Sequence, residues 1–502
     1  MDSNITEFYK NKTIFLTGGS GFLGKLIIEK LLRTTEVERI YMLIRPKRGE
    51  QIQSRMAAFR SNFMFSELLK LKANSLERVL PIAGDCALPD LGLSEADRQV
   101  LIKEVQVVVH GAATVNFVEP LSIALRINTR ATRLLVQLAK QMGRLEAYVH
   151  VSTAFSNCPV EHIGECFYPE LLSCTADKVL ALQDQLSDDL IDQMTPALLG
   201  KFPNTYTYTK ALAEQVVQRE AADLPICIFR PAMILPSLKE PFQGCIDNLY
   251  GPIALSYGCA AGVVRVVTLK KESRSNVVPV DYCVNLVLSC AWQTAVATQL
   301  NAQRRIPAPD PTIYNFAPAA RNPITWGQYA VTYEKNRHIY PVNQMIWFPF
   351  AILTNNLWLF KLLTVLYHHL PGFLIDMGLR LKGQKPRMKR IYSKVHEGLK
   401  ILLPFAFPNW TFEMGNSDRL LQCMSPQDRL KFDFDMNILD WKQYMVVALM
   451  GMRAYLFKEE LTKESLQSAK KLYKRFLILN YVVHFIACCI PAALLWWVYM
   501  KF

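Results

Sequence analysis

The run from Ile14 to Gly24, IFLTGGSGFLG, constrains the fold of this chain more than any other feature. Residues suited to a β-strand lead straight into Gly18, Gly21 and Gly24, and the helical pattern KLIIEKLLR begins at once. In such a GxxGxxG turn the first glycines allow a tight bend and close backbone approach, and the third lets the helix pack on the sheet. The helix then turns its positive amino end toward a pyrophosphate. The expected cofactor contacts are Thr17, Gly18, Gly19, Ser20, Gly21, Phe22, Leu23 and Gly24.

Further short apolar runs, RIYMLI, RVLPIAGD, VQVVVHGAA, AYVHVSTAF and ICIFRP, alternate with helical stretches. That alternation predicts an α/β fold, a Rossmann-type doubly wound parallel sheet. The Pro-, Ala- and Arg-rich stretch Asn301 to Asn322 reads as a boundary region beyond which the sheet pattern stops. The expected organisation is a nucleotide-binding domain over 10–300, a connecting region over 301–350, a mainly helical domain over 351–460 and a transmembrane helix over 476–500.

An NAD-selective site usually carries an acidic residue about 20 positions beyond the glycines. Here the second strand ends in LIRPKRG. Arg45 and Arg48 are placed to grip a 2′-phosphate, which favours NADPH, the alternative being a solvated basic loop. Asp85, closing the third strand, is placed for the adenine amino group. Ala112 and Ala113 put small residues at the end of the fourth strand, where cofactor must pass.

Tyr206-Thr-Tyr-Thr-Lys210 opens a helical stretch, so Tyr206 and Lys210 share a face four residues apart. A phenol beside an ammonium is expected to have a lowered pKa and to serve in proton transfer, while Lys210 also holds the nicotinamide ribose. Both residues are counted with the cofactor contacts. Thr153, and after it Ser152, are the hydroxyls at the end of the fifth strand that could orient a carbonyl oxygen. Tyr208 reads as a packed aromatic.

The glycine turn, the Ser/Thr pair and YxxxK together resemble the extended short-chain dehydrogenase/reductases. RPAMILPS at 230–237, IDNLYGP at 246–252 and VPVDYCVN at 278–285 narrow the resemblance to the alcohol-forming fatty acyl-CoA reductases. PNWTF at 408–412 and KFDFDMNILDWKQY further on are similar to that family's carboxyl-terminal male sterility domain. The resemblance implies NADPH-dependent reduction of long-chain acyl-CoA to a primary alcohol, with release of coenzyme A through an aldehyde-level intermediate. Two residues depart from the expected pattern: Cys245 stands in place of Trp and Asn276 in place of an acidic residue. A membrane-bound dehydrogenase of a sterol or other lipophilic carbonyl, and a catalytically silent nucleotide-binding scaffold, are the competing readings.

Lys and Arg exceed Asp and Glu, 57 to 43, and 51% of the 502 residues are hydrophobic. This balance suits anionic partners and excludes a disordered chain. No groove-reading motif accompanies the charge, so nucleic acid is not an expected partner. The twelve cysteines form no metal-binding pattern and read as reduced thiols, and no metal is expected. Phe476 to Met500 carries no charge and follows Lys470, Lys471, Lys474 and Arg475. It reads as a tail anchor, with a buried helix or interfacial hairpin as alternatives. The uncharged stretch Val342 to Phe360 reads as a core helix, a re-entrant segment or an acyl-channel wall. The basic block Arg380, Lys382, Lys385, Arg387, Lys389 and Arg390 suits lipid headgroups, coenzyme A phosphates or plain solvent. No signal peptide is visible. The expected location is a membrane, by default the endoplasmic reticulum, with the catalytic domain in the cytosol and membrane lipid as a partner.

Overall fold

The computed structural model describes residues 3–46, 51–304, 310–500 and 502. Six strands form where the apolar runs place them: β1 (Thr13–Thr17), β2 (Arg39–Ile44), β3 (Val79–Ala83), β4 (Val107–His110), β5 (Ala147–Val151) and β6 (Ile226–Pro231). A seventh, β7 (Thr312–Phe316), joins them. The sheet order is β7-β6-β5-β4-β1-β2-β3, and every pairing is parallel.

β7 lies inside the stretch Asn301 to Asn322 that the sequence presents as a boundary region. Its five residues, TIYNF, lie between Pro311 and Pro318, so a composition window registers a proline-rich connector. The register with β6 is nonetheless regular, Ile313 lying opposite Ile228 with both side chains in the core.

Helices cover both faces of a parallel sheet, so its central strands are apolar without alternation. β1, β5 and β6 are accordingly buried at every position. Phe15, Val108, Tyr148 and Ile228 share one core with Leu101 and Leu135 from the covering helices. β3 carries an exposed proline, Pro81, which is tolerated because β3 is an edge strand with β2 as its one neighbour. Two helices flank the functional edge: α1 (Phe22–Thr34), entered from β1, and α2 (Thr205–Glu220), which leads toward β6.

The described residues fall into two compact units that interleave along the chain. The first comprises Met1–Cys245, Asn276–Pro323 and Asn409–Leu439, and contains the sheet. Asn276 sits within it at φ +44°, a left-handed conformation that asparagine tolerates, and donates to the Trp410 carbonyl at 3.3 Å. The second unit comprises Ile246–Ser275, Ile324–Pro408 and Asp440–Phe502. Its main helices are α3 (Leu357–Leu381), continuous through a π-helical turn, α4 (Met388–Ala406) and α5 (Lys463–Tyr499).

Within this second unit the stretch Val342 to Phe360 is not the core helix that its lack of charge allowed. Ile352–Thr354 forms a short parallel strand with Val266–Thr268, and α3 starts only at Leu357. Pro349 interrupts any earlier helix, and Asn356 caps α3 by accepting from the amides of Trp358 and Leu359. Among the described residues two segments are by length and composition sufficient to cross a membrane, Leu357–Leu381 and Lys463–Cys489.

Candidate active site

The strand order reverses between β1 and β4, and in a doubly wound sheet ligands bind beyond the carboxyl ends of the strands at that point. Gly18 leaves β1 at φ +75°, and a Cβ there would lie 2.7 Å from the backbone of Gly111 and Ala112, just past β4. At Gly24 a Cβ would stand 2.3 Å from the Gly18 carbonyl oxygen, so the first turn of α1 can rest on the loop only with glycine there. Gly19 is buried against Met42.

Ser20 and Gly21 are exposed, and Phe22 and Leu23 are half-buried in the first helical turn. Gly21 is the N-cap of α1 with no side-chain hydrogen bond to the helix, which leaves first-turn amides open to an anion. These features fit the pyrophosphate of a dinucleotide. Thr17 faces the other way: its hydroxyl pairs with His110 Nδ1 at 2.7 Å and accepts from the Ala112 amide at 3.2 Å. It therefore fastens the end of β1 to the segment after β4. Ala112 and Ala113 are half-buried beside the glycine turn.

At the ends of β2 and β3, Arg45 Nε lies 4.0 Å from Asp85 Oδ2, with the arginine side chain 59% exposed. Asp85 also accepts from the Ala87 amide at 2.9 Å. Arg48, its expected companion, lies outside the described residues.

α2 begins at an N-cap, Asn204, whose side chain accepts from the Thr207 amide at 2.9 Å. This sets Tyr206 in the first turn, with Lys210 one turn later on the same face. Thr153 is the side chain that acts on the Tyr206 hydroxyl, favouring its ionised form against burial. Lys210 Nζ donates to the Val151 carbonyl at 2.7 Å, tying α2 to the end of β5. Ser152 is engaged elsewhere, donating to Glu214 Oε1 at 2.5 Å. Of the two hydroxyls after β5, Thr153 is thus the one brought to Tyr206. Tyr208 is a packed aromatic, its ring 5.5 Å from that of Phe202.

Charge in this cluster differs from the expectation that Lys210 lowers the phenol. Burial pushes Tyr206 up to about 12, with the Thr153 hydrogen bond opposing. Burial also brings Lys210 down to about 8, with the Glu214 carboxylate opposing. Desolvation outweighs the ammonium because Lys210 is directed to a backbone carbonyl and is itself short of solvent. At neutral pH the phenol is protonated.

Sequence pattern alone did not reveal the groups that hold this cluster. Glu214, one turn beyond Lys210, pairs with Arg230 at 2.6 Å and accepts from Ser156 at 2.8 Å as well as from Ser152. Arg230 in turn donates to the carbonyls of Gly164 and Cys166. Asn128, in the π-helical turn Leu125–Arg130, accepts from the Thr114 amide at 2.9 Å and donates to Thr209 on α2 at 3.0 Å. The loop after β4 and the tyrosine helix are joined through it. The one available signal was the presence of a charged or amide residue inside an apolar pattern.

PNWTF also reaches this site from far along the chain. Trp410 donates to the Cys158 carbonyl at 3.1 Å and meets the ring of Phe155 at 5.2 Å, and Thr411–Phe412 pairs with His162–Ile163. The loop that begins at Thr153 is thereby braced.

Comparison with known proteins places these features in a lineage. Two family models, both described as male sterility protein, match residues 16–287 and 367–459. The chain is 38% identical over 480 residues to "Fatty acyl-CoA reductase wat" of Drosophila melanogaster, covering 96% of this chain and 90% of that protein. It is 36% identical over 473 residues to "Fatty acyl-CoA reductase 1" of Homo sapiens, covering 93% and 88%. Among solved structures it resembles the terminal R domain of the myxalamid pathway, with TM-score 0.56, 19% identity and coverage of 88% and 90%. The reductase domain of a nonribosomal peptide synthetase from Mycobacterium tuberculosis gives TM-score 0.55, 18% identity and coverage of 90% and 96%. At those identities the two structures speak for the fold.

Proposed function

The chain belongs to the fatty acyl-CoA reductases, the male sterility protein family, and reduces fatty acyl-CoA to alcohol; from that premise we propose that it does so with NADPH, using Thr153, Tyr206 and Lys210. Family membership removes the sterol dehydrogenase and the silent scaffold as readings. The observation that carries the residue assignment is the placement of Tyr206 and Lys210 on one face of α2, with Lys210 donating at 2.7 Å to the Val151 carbonyl at the end of β5, two residues before Thr153.

A reduced nicotinamide supplies hydride when bound. The glycine turn and the open amides of α1 would hold its pyrophosphate, and Arg45 supports a 2′-phosphate. Thr153 and Tyr206 offer two O–H donors that can converge on one carbonyl oxygen, where negative charge develops as the thioester is reduced. Tyr206, kept protonated by burial, delivers its proton to that oxygen. Lys210, largely protonated at neutral pH, stabilises the phenolate left behind.

The first round converts the thioester carbonyl to a hemithioacetal. Cleavage of its C–S bond restores a carbonyl and releases coenzyme A as the thiol. The resulting aldehyde again bears its developing charge on a single oxygen, so the same donors serve a second round that ends at the alcohol. The apolar helix α5 supports attachment to a membrane through residues 476–500, with the catalytic unit in the cytosol and the endoplasmic reticulum as the membrane.

Replacing Tyr206 by Phe keeps the ring and removes the proton. The rate should fall at least about a hundredfold, while NADPH binding, followed by its fluorescence, is retained. Alcohol formation at the parent rate would remove Tyr206 from the mechanism.

A further inference from the structure

α3 is amphipathic in the sense opposite to a helix that faces water. Its buried residues are Thr364, His368, Gly372 and Asp376, four apart and each polar or small. Apart from Lys361, His369 and Arg380, its exposed residues are large and apolar. Trp358 is 81% exposed, Leu362 57%, Phe373 62% and Leu381 83%, with Leu366 and Leu370 between them. A helix in water buries its apolar stripe, so this arrangement suits a helix whose outer side meets hydrocarbon.

Three of the four members of the buried stripe meet other segments of the second unit, and the Thr364 hydroxyl donates to the Lys361 carbonyl of its own helix. His368 Nε2 accepts from the amides of Arg265 and Val266, and His368 Nδ1 pairs with His396 at 3.0 Å. Gly372 admits the ring of Tyr392, which a Cβ would meet at 2.9 Å. Asp376 accepts from three successive amides, those of Arg387, Met388 and Lys389, where α4 begins. Seating that extends from residue 368 to residue 376 fixes the helix along its flank, so it lies against the unit and does not cross a bilayer as a free span.

Two polar side chains of α5 are satisfied from the same neighbourhood. Trp347 Nε1 donates to Asn480 at 3.0 Å, and Tyr367 pairs with His484 at 3.2 Å. Polar groups at membrane depth need such partners. From the last turn of α3 onward come Arg380, Lys382, Lys385, Arg387, Lys389 and Arg390, all exposed, whereas the nearby Asp376 is engaged by amides. Apolar residues beside a run of cations match the acyl region and headgroups of an anionic leaflet.

We propose that α3 and the basic segment 380–390 form a second membrane-binding surface, lying in the plane of an anionic leaflet and distinct from the tail helix. It holds the second unit at the lipid surface, where membrane-dissolved acyl chains are found. The proposal does not depend on the residue roles assigned to the catalytic cluster.

The test uses the full chain in vesicles of phosphatidylcholine, or of phosphatidylcholine mixed with phosphatidylserine, each containing a phospholipid with a photoreactive group in its acyl chain. Cross-linked peptides are then identified by mass spectrometry. Cross-links are expected on residues 357–381 as well as on α5, with the former rising several-fold when phosphatidylserine is present. In the double variant Leu362→Glu, Phe373→Glu, cross-links on α3 should fall about tenfold, while those on α5 and the reductase activity in detergent persist. Cross-links confined to α5 would overturn the proposal, and so would equal labelling of α3 with and without phosphatidylserine. Loss of α3 labelling on saturation with acyl-CoA would instead make this surface part of the substrate's path.

Discussion

Glu214 and Arg230 form an ion pair 2.6 Å long from which water is excluded, the two side chains being 3% and 0% exposed. The pair lies beneath the loop that carries Ser152 and Ser156, and it fixes where β5 hands over to Thr153. Replacing Glu214 by Gln preserves shape and leaves the guanidinium uncompensated. The expected loss is about 3–5 kcal/mol of stability, read as a lower midpoint of urea unfolding. An unchanged midpoint would mean that the pair contributes nothing beyond its shape.

In the proposed mechanism Lys210 sets the alkaline side of the pH profile. Its ammonium, brought down to about 8 by burial, is charged below that pH and neutral above it. Tyr206 stays protonated to about 12 and does not contribute in this range. kcat/KM for acyl-CoA should therefore fall as pH rises through about 8. Because the Glu214 charge holds Lys210 up, Glu214→Gln should move the fall to lower pH. A profile that stays flat across this range, or one that the substitution leaves in place, would contradict the assignment.

Cofactor choice rests on Arg45 in this account. Arg45→Asp should weaken NADPH by about 1.5–3 kcal/mol, the size of a hydrogen bond to a charged group, and leave NADH much less affected. Dissociation constants for both cofactors decide it. A parent enzyme that binds the two equally well would remove the basis for the 2′-phosphate reading.

The legible parts of this chain were those in which local pattern and final role coincide. The glycine turn is both a sequence motif and the crossing point of β1 and β4, so its position followed from the residues. Tyr206 and Lys210 were visible because helical spacing alone puts them on one face. β7 was hidden because five strand residues between prolines look like a connector. Glu214, Arg230 and Asn128 were hidden for a different reason. Their partners lie 14 to 81 positions away, and no periodicity encodes such a pairing. The direction of the Tyr206 shift also failed to follow from spacing, since it depends on how much water reaches the phenol.

The same dependence on tertiary structure governs the apolar stretches. Val342 to Phe360 lacks charge yet contains a strand, because Pro349 and Asn356 divide it, whereas α3 carries charged and polar residues and is an apolar helix of 25 residues. Only the direction of its buried stripe distinguishes it from a core helix.

The central claim is that one set of donors, Thr153 and Tyr206 with Lys210 behind them, serves two successive reductions. Its most direct test is the ratio of NADPH oxidised to coenzyme A released by the purified full chain acting on a long-chain acyl-CoA, with the lipid product identified in the same sample. The account predicts two NADPH per coenzyme A, alcohol as the product, and loss of both reductions together in Tyr206→Phe. One NADPH per coenzyme A with free aldehyde accumulating, or a Tyr206→Phe enzyme that loses one reduction and keeps the other, would contradict it.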